Sequence, residues 1–189
     1  MTTTRQRMID DPQSVQALLN LGNVCRARGQ LDKAAEQYER ALSVDADYPE
    51  ALLNLGEVLF EQGSFEPAAK YLRRVVVLRP RAAELHLKLA VALRRLSEHA
   101  KAAGAYEKAL GLRAGLFDAW LGLGQSNLEL GCWQDAENAF QNALALKPNS
   151  AEAHSGLAQT LRQMGKLTEA KEHLTQAAEL KTESQTNEI

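Results

Sequence analysis

The sequence predicts an all-α fold of stacked antiparallel helix pairs, and three observations carry that prediction. A 34-residue pattern repeats five times from Val15 with no insertion or deletion, its windows covering 15–48, 49–82, 83–116, 117–150 and 151–184. The first half of each window carries an apolar stripe at helical spacing, as in Leu18, Leu21, Gly22 and Cys25. A small, turn-forming residue then stands at the fifteenth place: Gly29, Gly63, Ser97, Gly131 and Gly165.

Within each window the first helix is fixed by a leucine at position 7 (Leu21, Leu55, Leu89, Leu123, Leu157) and a small residue at position 8 (Gly22, Gly56, Ala90, Gly124, Ala158). Positions 4, 7, 8 and 11 are therefore expected to pack. Glycine at position 15 can take the left-handed conformation that ends this helix and turns the chain. The second helix runs past an alanine at position 20 (Ala34, Ala68, Ala102, Ala136, Ala170), where two backbones should nearly touch. A bulky residue at position 24 (Tyr38, Leu72, Tyr106, Phe140, Leu174) and a small one at 27 (Ala41, Val75, Ala109, Ala143, Ala177) follow along the same helix. Pro80 and Pro148 stand at position 32, before the next helix, where a missing N–H does no harm, and Asn149 or Ser150 is placed to cap that helix. One hairpin cannot bury its own apolar face, so stacking must supply the core. Residues 1–14, with Pro12 and Met8 in register, read as the end of a preceding unit, and 185–189 as a polar tail.

Repeat four carries Trp120, Leu123, Gly124, Ala136, Phe140, Ala143 and Pro148, a pattern that resembles the tetratricopeptide repeat. Asn127 departs from it, standing where an aromatic residue is usual. The resemblance covers 15–184 and implies a right-handed α-solenoid whose first helices line a concave groove. It also implies a non-catalytic protein-interaction scaffold that binds a peptide or protein segment in that groove. The alternative is a structural assembly subunit, or the scaffold fragment of a larger modifying enzyme or secretion complex.

Composition narrows the function further. The formal net charge of −2 gives no global field toward nucleic acid or anionic lipid. No run approaches the roughly 18 apolar residues needed to cross a bilayer, and no signal-peptide core precedes the repeats, so a cytoplasmic protein without direct membrane insertion is expected. Cys25 and Cys132 share no metal or redox spacing. His86 and His154 occupy position 4, where the first helix packs, and read as packing residues. No glycine-rich phosphate loop, HExxH or GxSxG appears, so no catalytic residue, cofactor or metal ligand is assigned.

The partner-binding candidates come from the groove-facing places 2, 5, 6, 9, 12 and 13 of the first helices. Asn20 and Asn54, both at position 6, offer donor and acceptor to an extended main chain, and Asn23 stands at position 9 of the same face. One subclass of the family, found in cochaperones, grips a C-terminal carboxylate with Lys, Asn, Asn, Lys and Arg. The matching places here hold Leu19, Asn23, Asn54, Glu84 and Lys88, so two of the three cations are missing. Lys and Arg outnumber Asp and Glu by six to three in repeat three and are outnumbered by four to one in repeat four. Lys88, Arg94 and Arg95, set against Asp118 and Glu129, are therefore expected to orient a partner of mixed charge. Ser97, His99 and Gly104 mark repeat three as the weakest unit. Leu174 and Ala178 are expected to stay uncovered on the last helix, which should end near Leu180 and offers a face for end-to-end self-association.

Overall fold

A computed structural model describes residues 14–186, with side chains to residue 182. Among these residues the chain forms ten helices and no strand. It divides into two compact units, 1–96 and 97–189. The lead-in expected over 1–14, Ser14 excepted, and the end of the tail lie outside the described residues.

The first unit holds α1 (Val15–Ala27), α2 (Leu31–Val44), α3 (Pro49–Glu61), α4 (Phe65–Leu78) and α5 (Ala83–Arg95). Consecutive helices pack pairwise, and α1 also touches α3, so first helices of neighbouring repeats share one face. The second unit holds α6 (His99–Leu112), α7 (Phe117–Glu129), α8 (Trp133–Leu146), α9 (Ala151–Gln163) and α10 (Leu167–Thr186). There α7 touches α9 in the same way. Each unit is a short α-solenoid.

The expected packing places are buried because small residues let the backbones meet. Ala34, Ala68, Ala102 and Ala136 have no exposed surface, and Ala170 has 3%. Tyr38, Leu72, Tyr106 and Phe140 fill position 24 with at most 2% exposure, and Ala41, Val75, Ala109, Ala143 and Ala177 lie beside them. Ser14 and Ser150 cap their helices, each hydroxyl oxygen accepting from the N–H three residues on at 3.2 Å.

Position 4 has a second use that the apolar pattern did not reveal. The Trp120 indole N–H donates to the Ala114 carbonyl at 2.8 Å. His86 Nε2 meets the Pro80 carbonyl at 2.8 Å, and His154 Nε2 meets that of Pro148 at 2.9 Å. In three successive repeats a ring nitrogen at position 4 thus ties the first helix to position 32 of the preceding linker. Because a carbonyl only accepts, both histidines carry their proton on Nε2. His154 Nδ1 then accepts from His173 Nδ1 at 2.9 Å.

Three expectations need correction. Leu21 shares position 7 with buried leucines but is 48% exposed, since no described helix lies against that side of α1. Position 5 was assigned to the groove, yet Leu19 and Leu121 are buried, because apolar side chains there turn toward the neighbouring helices. The last helix runs to Thr186 rather than ending near Leu180, as no glycine or proline interrupts the sequence after that residue. Leu174 remains 49% exposed and Ala178 exposed, as expected.

The turn of repeat three is strained. Four of the five turn residues are glycines at φ between 72° and 79°, while Ser97 takes φ 58°. A left-handed residue with a Cβ costs roughly 1–2 kcal/mol, and glycine returns part of that as lost entropy. Ser97→Gly is expected to stabilise the protein by about 0.5–1 kcal/mol in denaturant unfolding. In native-state hydrogen exchange, α6 amides should exchange faster than those of α4 in the wild type. Equal protection in the two helices would remove the case for a weak third repeat.

Candidate functional site

The first-helix face of the first unit gathers most of the candidate residues. The Asn23 side-chain oxygen accepts from the Tyr38 hydroxyl at 2.7 Å and from the Asn54 amide at 3.1 Å. Burial pushes the Tyr38 hydroxyl above the ordinary phenol range, so it stays a donor. The remaining polar atoms of this pair, Asn23 Nδ2 and Asn54 Oδ1, have no partner among the described residues. Asn20 lies one turn back on α1, exposed, and accepts from Gln16 at 3.1 Å.

Lys88 is not an isolated cation. Its ammonium meets Glu57 at 2.8 Å, and the other oxygen of Glu57 accepts from Arg26 at 2.6 Å. Arg26 also donates to Glu61 through Nε at 3.1 Å and Nη2 at 2.5 Å. Burial alone would raise the Glu57 carboxyl, but hydrogen bonds and charge from Lys88 and Arg26 outweigh it and hold it below the usual range. These four charges rim a hollow of about 280 Å³ whose apolar lining is Phe60, Leu72 and Val91.

Arg26, Glu57 and Glu61 stand at places 12, 9 and 13, which the spacing assigns to the groove, but the spacing within one repeat does not show that they pair. A signal was present in the sequence. Arg26 to Glu57, Glu57 to Lys88 and Asn23 to Asn54 are each 31 residues apart, one period less about a helical turn. Adjacent first helices cross so that each residue meets the one a turn earlier in the next repeat.

The other candidates have different surroundings. The Arg95 guanidinium lies over the Phe65 ring at 4.2 Å, and Phe65 meets Phe60 edge-on at 5.1 Å. Arg94 keeps its Nε buried without a hydrogen-bond partner. Asp118 and Glu129 are exposed on α7 of the second unit, where Gln125 donates to Glu152 at 2.7 Å on the same face. Among the described residues no group of three or more His, Cys, Asp or Glu could hold a metal ion. No helix among them is long and apolar enough to cross a membrane.

Family models agree with this architecture. One described as TPR repeat matches residues 22–63, and two described as tetratricopeptide repeat match 53–117 and 115–183. The chain belongs to the tetratricopeptide repeat family. Like other arrays of this tetratricopeptide type, it is built as a scaffold for protein interaction. No curated protein matches it in sequence. Among solved structures, a MamA protein shares 25% identity with this tetratricopeptide chain, at TM-score 0.86 over 93% of it and 96% of MamA. MamA from Desulfovibrio magneticus RS-1 is 21% identical, at TM-score 0.84 over 89% and 96% of the two chains. YrrB, described as a TPR protein with an unusual peptide-binding site, is 18% identical, at TM-score 0.83 over 95% and 92%. The last two likenesses show the fold alone.

Proposed function

We propose that the face formed by α1, α3 and α5 holds an extended segment of a partner protein. The observation that carries this reading is the Asn23–Asn54 amide pair. By bonding each other through one donor and one acceptor, the two side chains fix their orientation and present the opposite donor and acceptor outward. Asn23 Nδ2 suits a main-chain carbonyl and Asn54 Oδ1 suits a main-chain N–H, the two groups every extended peptide repeats. The Tyr38 hydroxyl braces the pair from below, so less side-chain freedom is lost on binding. YrrB, a protein of the same fold with an unusual peptide-binding site, supports the assignment.

The test is selection of linear peptides from a display library against the whole protein, followed by titration of the selected peptides. Asn54→Ala removes the outward acceptor and the bond that orients Asn23. With two hydrogen bonds worth about 1–3 kcal/mol together, affinity is expected to fall roughly tenfold or more while the helical signal is unchanged. Peptides that bind Asn54→Ala as well as wild type would overturn this reading.

A further inference from the structure

The hollow beside the amide pair says which side chain such a segment carries. Its rim holds two cations and two carboxylates, and each is already engaged. Arg26 spans Glu57 and Glu61, and Lys88 closes on the second oxygen of Glu57. Their formal charges cancel. An incoming carboxylate would have to displace Glu57 from Lys88, or Glu61 from Arg26, while facing both acids as like charges. An incoming ammonium would find both acids bonded to cations. With the rim charges balanced, a charged ligand therefore gains no net attraction from it.

What stands unclaimed inside the rim is apolar. Leu72 forms the floor at 2% exposure, and Phe60 and Val91 are half-buried beside it. Phe60 is held in place by its edge-on contact with Phe65, and the Arg95 guanidinium lies 4.2 Å from the Phe65 ring centroid and 5.8 Å from that of Phe60. At about 280 Å³ the hollow lies at the small end of ligand pockets, which run to roughly 300–1,000 Å³. Its size suits one side chain.

We propose that this hollow takes a single apolar side chain, of leucine, methionine or phenylalanine size, from the extended partner segment, and that Glu57 is what keeps acidic side chains out. The assignment rests on the groove reading above and adds its specificity. Glu57 has only a 20% exposed side chain and sits between both cations. Without its charge, Arg26 and Lys88 would face Glu61 alone, and the rim would carry a net positive charge.

The experiment uses the whole protein and the same display library. Wild type is expected to select peptides with an apolar residue at one fixed place. Alanine at that place should weaken binding tenfold or more, with little change between low and high salt because no charge pair forms with the ligand. Val91→Trp, which fills the hollow, should bind the selected peptides at least tenfold more weakly. Glu57→Gln should instead select Asp or Glu at the fixed place, with an affinity that falls as salt rises. An acidic or basic residue selected by wild type would overturn the proposal, as would alanine tolerated at the fixed place. Peptides that respond to Asn54→Ala but not to Val91→Trp would sink the hollow assignment and leave the groove standing. A library that yields no peptide, or peptides indifferent to Asn54→Ala, would overturn both. Should Val91→Trp fail to fold, the alanine series on the peptide and the Glu57→Gln selection decide the matter.

Discussion

Phe140→Ala is expected to cost about 3–5 kcal/mol, the range for removing a fully enclosed aromatic side chain. Phe140 has no exposed surface and packs in one cluster with Leu121, Leu157, Leu161 and Ala170. Two of its immediate neighbours are glycines, Gly124 and Gly156, which have no side chain to move into the gap. Domains hold about 5–15 kcal/mol in total, and the loss is a large part of that. Urea unfolding followed by circular dichroism should show a much earlier transition. A loss below about 1 kcal/mol would mean that the ring is not the wedge between α7, α8 and α9 that its surroundings indicate.

Gly156→Ala is expected to change sign with the residue at position 140. A Cβ at Gly156 would lie 2.5 Å from two Phe140 ring carbons, and one at Gly124 would lie 2.8 Å from the same ring. The ring therefore cannot retreat from one helix without striking the other. Overpacking costs about 1–3 kcal/mol, whereas alanine in mid-helix gains at most about 1 kcal/mol over glycine. In the wild-type background the substitution should destabilise. In a Phe140→Leu background, where the ring is gone, it should stabilise by up to about 1 kcal/mol. A double-mutant cycle measured by denaturant unfolding gives the coupling directly. The same sign in both backgrounds would show that Gly156 is small for another reason.

The fold was legible because its determinants repeat. Ala34, Ala68, Ala102, Ala136 and Ala170 recur where backbones meet, and a periodic steric requirement leaves a periodic trace. Leu21 was misread for the same reason. Its spacing matches that of buried leucines, but burial also needs a neighbouring helix, which a residue's own register does not report. The amide pair is legible only in part: Asn23 and Asn54 both stand at groove places, but the shared position 6 couples Asn54 with Asn20, whereas the crossing of the helices brings it to Asn23. The charged rim is not legible as a unit, because the pairing of Arg26, Glu57, Glu61 and Lys88 is hidden until the crossing of the helices is known. Lys88 changes meaning most: as a lone cation it suggests an acidic ligand, and bonded to Glu57 it does not. Arg95 changes too, since its guanidinium rests on an aromatic ring within the first unit.

The fastening at position 4 bears on what the histidines can become. Indole and imidazole do the same work there, so the post requires a ring of suitable reach with one N–H. A nitrogen that spends its hydrogen on a linker carbonyl has no lone pair to lend. His86 and His154 are thereby tailored as rivets, and the array gains a stitch between successive repeats from residues that, met singly in a sequence, invite thoughts of chemistry.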